Sequence, residues 1–206
     1  MKVLLVNGSS HRNGCTYTAL EEVSIALNKE DIKTELFQLG NPEIRDCSGC
    51  GACRQIGKCV YDDVVNVFVE KAREFDGFVF GTPVYYAHPA GRLLSFLDRA
   101  FYSGSSAFAF KPACAVASAR RSGTTASFDV LNKYFTINNM PVITANYWNN
   151  IHGHVSEEAK QDLEGLQTMR TLGRNMAWIL KCIDYGKKSG LKHPDLEEKI
   201  RTNFIR

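Results

Sequence analysis

The sequence predicts an α/β protein, a single domain on a doubly wound five-stranded parallel sheet of order 2-1-3-4-5. Two observations carry this expectation. Short apolar runs of strand character alternate with longer segments of helical spacing, and strands separated by helices pair in parallel through right-handed crossovers. The size also fits. With 206 residues, 44% hydrophobic and 23% charged, the chain suits one packed core, and two small domains would be crowded.

Residues 2–6, KVLLV, form the first strand, and 32–39, IKTELFQL, the second. The third reads as DGFVFGT at 76–82, the fourth as PACAVAS at 112–118 and the fifth as PVITA at 141–145. Between them, GRLLSFLDRAF sets Leu93, Leu94, Leu97, Ala100 and Phe101 on one helical face. SFDVLNKYF does the same with Val130, Leu131, Tyr134 and Phe135. Residues 1–186 make one domain, with a cysteine loop at 47–59 inserted after strand 2. Residues 187–206 read as a polar tail or short final helix and receive no function.

The 25 basic and 22 acidic residues leave a net charge of +3 with no clustered basic stripe, so no nucleic-acid partner is expected. The opening MKVLLVNGSS has an apolar stretch too short for a signal peptide, and no window reaches membrane-spanning length. The expectation is a cytoplasmic protein without a membrane partner. In a reducing compartment clustered thiols serve as ligands or redox groups rather than structural disulfides. The total of seven cysteines is odd, so they cannot all pair internally.

In a sheet of this order ligands bind beyond the carboxyl ends of the strands, beside strand 1. Strand 1 runs into NGSSHRNGCT at 7–16 and then a helix. Ser9, Ser10, Asn13, Thr16, two glycines and a helix N-terminus suit a phosphate monoester. The loop has neither GxGxxG nor a Walker lysine, so a dinucleotide pyrophosphate or ATP fits poorly. On composition alone an ordinary polar turn with a Ser or Thr N-cap fits equally well. Cys15 stands where a helix favours thiolate. Bound phosphate would oppose that charge, so Cys15 is read as presenting backbone rather than as a nucleophile.

Strand 3 ends in GTPVYYAHPAG at 81–91. Pro83 and Pro89 stiffen this loop, Gly81 and Gly91 admit close approach, and Tyr85 and Tyr86 offer flat faces to a planar heteroaromatic ring. A tyrosine pair in isolation more often only closes a sheet end. Strand 4 ends in a second small-residue loop, ASARRSGTT at 117–125, so three such loops meet at one edge.

LLVNGSSHRNGCT, GTPVYYAHPAGRLLSFLDRAF and YWNNIHG together resemble the flavodoxin-like NADPH-dependent FMN reductases. The cysteine block resembles the branch called iron–sulfur flavoproteins. The resemblance covers roughly residues 1–185. It implies FMN, with phosphate contacts at Ser9, His11, Asn13, Gly14, Cys15 and Thr16. Ring contacts fall on Pro83, Val84, Tyr85 and Tyr86, with Ala119, Arg120 and Gly123 nearby. Relatives often carry an Arg–Lys pair where this chain has His11–Arg12, and a neutral His11 offsets less phosphate charge.

Cys47, Cys50 and Cys53 recur at every third position, and Cys59 follows after five intervening residues. Structural zinc sites bring ligand pairs together from separate turns, a poor match. A C-x2-C-x2-C run lets one winding loop offer thiolates to several corners of a cubane, and Ser48, Gly49, Gly51 and Ala52 keep the spacers small. The resemblance implies one 4Fe-4S cluster on Cys47, Cys50, Cys53 and Cys59. A thiol or disulfide loop is the second reading, and zinc the third. Asp62 and Asp63 are read as the cap and first-turn acids of the next helix, and Cys114 and Cys182 as buried small hydrophobes. Trp148 and His152 are placed after strand 5; Trp148 reads equally as core, while the resemblance implies that this loop lies near the flavin edge or a subunit interface.

The function this implies is that of a flavin-dependent oxidoreductase, with NAD(P)H as a possible donor and a small molecule or a ferredoxin-like protein as donor and acceptor. A flavin takes a hydride and can pass electrons on singly, so no catalytic acid or base is assigned. The alternatives are a cluster-free NAD(P)H-dependent FMN or quinone reductase and a non-enzymatic electron carrier. Tyr86, Phe101, Tyr102, Phe108, Phe110 and Trp148 suggest an aromatic patch, and hence a homodimer or homotetramer.

Overall fold

β-branched and aromatic residues run together here between loops marked by glycine and proline, and strands form on those runs. The computed structural model describes residues 1–204. Its strands are β1 (Lys2–Asn7), β2 (Lys33–Gln38), β3 (Gly77–Pro83), β4 (Ala113–Ala119) and β5 (Asn150–His152). All are parallel, in the expected order β2-β1-β3-β4-β5. The connections hold α1 (Cys15–Asn28), α2 (Cys53–Ile56), α3 (Val64–Ala72), α4 (Gly91–Gly104), α5 (Thr124–Thr136), α6 (Ser156–Ala159) and α7 (Leu163–Lys188).

Central parallel strands must be apolar on both faces, and β3 and β4 are buried along their whole lengths. Alternation along β1 divides the core into two layers. Leu4 and Val6 join a layer of Phe68, Phe78, Phe80, Phe96, Phe108 and Phe135 under α3, α4 and α5. Val3 and Leu5 join Leu20, Val23, Met169 and Leu172 under α1 and α7. The two predicted helical faces point into the first layer apart from Val130, which is only partly buried and outside it: Leu93, Leu97, Ala100, Leu131 and Phe135 are buried, with Leu94, Phe101 and Tyr134 packed at its margin.

The fifth strand departs from expectation. In the predicted segment only Val142 pairs, as an isolated bridge to Ala113, and the chain then leaves the sheet. The Asn149 side-chain amide donates to the Ala115 carbonyl at 3.0 Å, satisfying that acceptor where the strand is missing. The ladder resumes at Asn150–His152 opposite Ala117–Ala119, so His152 lies within the strand rather than after it. Cys114 is buried as expected, but Cys182 is exposed, because it falls on the outer face of α7. The aromatic patch is also smaller than predicted. Phe108 is buried, Phe101 stacks on it at 4.6 Å, and Phe110 stacks on His193 at 4.4 Å. Tyr86, Tyr102 and Trp148 stay exposed, at 102%, 57% and 53%. Residues 191–203, beyond α7, carry neither helix nor strand.

Candidate functional site

Adjacent parallel strands end together, so the loops after β1, β3 and β4 leave the sheet side by side. The Gly8 N–H donates to the Gly81 carbonyl at 2.9 Å where β1 and β3 give way to loop. Asn7, buried at the end of β1, braces the turn: its Oδ1 accepts from the Ser9 N–H at 3.0 Å and its Nδ2 donates to Gln38 Oε1 at 2.7 Å. Gln38 in turn donates to the Ser9 carbonyl at 2.8 Å, and the Ser9 hydroxyl accepts from the His11 N–H at 3.1 Å. Ser9 is therefore a buried fixture of the loop, while His11 and Asn13 stand exposed at its tip.

Gly14 caps α1 without a side-chain hydrogen bond, and the first turn carries no acidic residue. The positive end of the helix is left to an anion. The Cys15 thiol turns away to donate to the Gly153 carbonyl at 3.3 Å. Burial foremost, with Glu158 and Glu157 adding to it, raises its pKa, which suits a residue that lends backbone rather than a nucleophile. Thr16 is more structural than expected: its hydroxyl pairs with that of Ser118 at 2.8 Å and ties α1 to the end of β4.

Pro83 closes β3, and the Val84 N–H donates to the Ser118 carbonyl at 2.8 Å. Val84 also bridges to Pro89, and the Thr82 hydroxyl accepts from the Ala90 N–H at 3.0 Å. The loop is thus a pinned finger with Tyr85 and Tyr86 exposed on it. The Tyr85 hydroxyl accepts from the Ser10 N–H and pairs with the Ser10 hydroxyl. Burial alone would raise that phenol's pKa, but the Ser10 hydrogen bonds outweigh it and lower the value. On the other side Gly123, at φ +89°, lies so close that an added Cβ would stand 2.8 Å from Val84 Cγ1. Ala119 is buried beside His152, and Arg120 is exposed.

All four block cysteines line one cavity, together with Tyr61, Arg99 and Tyr102. All are free thiols. Gly49, Gly51 and Gly57 adopt left-handed φ of +66°, +72° and +73°, which is how so short a loop winds so tightly. The backbone N–H of Ala52 and then the Ser48 hydroxyl hold the Cys50 thiol below its ordinary pKa. Among the described residues no three His, Cys, Asp or Glu side chains are grouped around a point as one metal ion requires. Asp63 caps α3 by accepting from the Val65 N–H at 3.0 Å, so the cap falls one residue later than expected and the first turn carries no acidic residue.

Asn7, Gln38, Asn66 and Arg99 are supporting residues that the sequence reading missed. Arg99 had a signal, since it follows Phe96 by three positions on the apolar side of α4. The amides are polar residues whose partners lie on other elements, and no local pattern marks them.

An uncapped helix start, an exposed tyrosine-bearing loop and a second small-residue loop meet at the carboxyl edge of this flavodoxin-like sheet, the edge where such sheets bind ligands. Residues 1–154 match the family described as NADPH-dependent FMN reductase, and the chain belongs to that family. An iron-sulfur flavoprotein of Methanocaldococcus jannaschii is 31% identical over 194 residues, covering 89% of this chain and 99% of that protein. An iron-sulfur flavoprotein of Methanosarcina thermophila is 27% identical over 188 residues, covering 89% and 97%. The crystal structure of RosB with bound 8-demethyl-8-formylriboflavin-5'-phosphate shares the fold at TM-score 0.71 and 16% identity, over 100% of this chain and 94% of that one. The NAD(P)H:quinone oxidoreductase from Methanothermobacter marburgensis does so at TM-score 0.66 and 18% identity, over 85% and 98%. No helix among the described residues is long and apolar enough to cross a membrane.

Proposed function

We propose that this chain is an FMN-dependent electron-transfer oxidoreductase that carries a 4Fe-4S cluster on Cys47, Cys50, Cys53 and Cys59. The single observation that carries the reading is the cavity lined by all four thiols, beside a family flavin fold. Four thiols from one winding loop that line a single space suit a multi-atom cluster. The naming of relatives at 31% and 27% identity as iron-sulfur flavoproteins supports it.

When bound, FMN would accept a two-electron equivalent and release electrons singly, and the cluster would carry them one at a time. The residues of the chain bind and orient. The uncapped start of α1, with the backbone at Gly14 and Cys15 and the exposed His11 and Asn13, would hold the phosphate. Pro83, Val84, Tyr85 and Tyr86 would flank one side of the ring, with Ala119, Arg120 and Gly123 on the β4 side. The cluster loop follows β2, which pairs with β1, so both cofactor positions belong to neighbouring loops of the sheet. Exposed Tyr86, Tyr102 and Trp148 favour a homodimer or homotetramer, to be checked by light scattering.

The test is anaerobic purification followed by flavin extraction, iron and sulfide assay, and an absorption spectrum. FMN with about four iron per chain is expected from a single cubane; FAD as the main flavin, or an iron-free protein, overturns the corresponding half. Steady oxidation of NAD(P)H then marks a reductase, whereas flavin reduced only by a ferredoxin-like donor marks a carrier.

A further inference from the structure

Arg99 is 1% exposed, yet it lies in the wall of a cavity of free thiols. A buried guanidinium needs partners for five N–H donors, and here each has one. Its Nε donates to Cys59 Sγ at 3.3 Å. Nη1 donates to Asp63 Oδ2 at 2.7 Å and the Arg45 carbonyl at 3.3 Å, and Nη2 to Asp63 Oδ1 at 2.9 Å and the Tyr61 carbonyl at 3.3 Å. The backbone of Cys59 is fixed as well: its N–H donates to Asn66 Oδ1 at 3.0 Å, and its carbonyl accepts from Asn66 Nδ2 at 2.9 Å. Cys59 is thus clamped from α3 at its backbone and from α4 at its sulfur. An arginine whose fork is fully occupied by carboxylate and carbonyls has no freedom to release its Nε–H from that sulfur.

We propose that Arg99 is a positioning residue that fixes Cys59 as a cluster ligand and sets the cluster's reduction potential through its Nε–H···S bond and its charge. This rests on the cluster reading above. Hydrogen bonds and positive charge at a ligand sulfur stabilise the more negative reduced state, so Arg99 raises the potential. Because α4 also begins at the end of the loop carrying Tyr85 and Tyr86, it joins the stacking finger to the cluster loop.

The experiment compares anaerobically purified wild type, Arg99→Lys and Arg99→Gln by iron per chain, flavin content and dithionite titration of both centres. Arg99→Gln should lower the cluster's one-electron equilibrium constant about tenfold, equivalent to about 59 mV, and Arg99→Lys by less, with the flavin potential unmoved. Selective loss of iron from either variant, with flavin retained, also supports the clamp. Clusters that assemble at wild-type potential in both variants overturn it, as does joint loss of flavin and iron, which would mark a general folding role. Wild-type protein with flavin but no iron overturns the cluster reading itself, whereas an iron-bearing wild type with insensitive variants overturns Arg99 alone.

Discussion

The Tyr85 hydroxyl accepts the Ser10 backbone N–H at 3.1 Å and stands 2.6 Å from the Ser10 hydroxyl, so the loops after β1 and β3 are clasped across the site. A clasp that preorganises two walls strengthens binding by removing an ordering cost.

Tyr85→Phe keeps the ring face and removes the clasp. Each of its two hydrogen bonds contributes about 1 kcal/mol, so FMN affinity should fall by between about fivefold and about thirtyfold, with a drop of no more than a few degrees in melting temperature. Fluorescence titration of flavin-free protein with FMN measures it. Unchanged affinity would assign the bond no binding role.

Gly123→Ala tests the other wall. At φ +89° an L-residue is strained by about 1–2 kcal/mol, and the new methyl would also press on Val84. The β3 and β4 loops should part, so FMN binding should weaken about tenfold or more and the melting temperature should drop by several degrees. A variant that binds FMN as wild type does would show that the two loops move independently.

The alternation of strands and helices made the sheet legible, because a parallel sheet buried on both faces leaves continuous apolar runs such as the one from Phe78 to Phe80. The fifth strand was not legible. PVITA has strand composition, but a side chain, Asn149, replaces part of the ladder, and a three-residue strand flanked by polar residues leaves no periodic trace. The loops that build the site could be read from their residue types. Their braces could not, since Gln38 and Asn66 act through partners on other elements. Arg99 shows the limit most clearly. Its spacing from Phe96 puts it on the apolar side of α4, but a charge there reads as a solvated margin until Asp63 is brought to it across the fold.

Asp63 both caps α3 and pairs with Arg99, so Asp63→Ala should destabilise the protein by about 3 kcal/mol, mostly by stranding a buried guanidinium. Burial works against the carboxylate, but the Arg99 hydrogen bonds outweigh it and hold its pKa below the usual aspartate value. A lowered folded pKa means stability that is fully present above about pH 4, the unfolded value, and lost as pH falls through the lowered one. Thermal unfolding from pH 7 to 2 should show the gap between wild type and Asp63→Ala constant down to about pH 4 and shrinking below it. A gap that closes near neutral pH would point to some other group.

The last prediction separates the two cofactor positions. Cys50 is exposed on the cluster loop, between the left-handed turns at Gly49 and Gly51, on the segment that follows β2 rather than on the loops after β1, β3 or β4. If its thiol is a ligand, Cys50→Ser replaces a soft sulfur with a hydroxyl that binds iron poorly at neutral pH, and assembly should fail or yield a partial cluster. The structural cost should be small, because the side chain is solvent-facing and serine is nearly isosteric. The expected outcome is selective: FMN content and melting temperature near wild type, iron and the broad absorbance beneath the flavin bands largely lost. Electron transfer to one-electron acceptors should fall, while reduction of the flavin by its donor persists. A Cys50→Ser protein that keeps full iron, or an iron-free wild type that works equally well, would turn the block into a thiol loop on a plain flavin reductase.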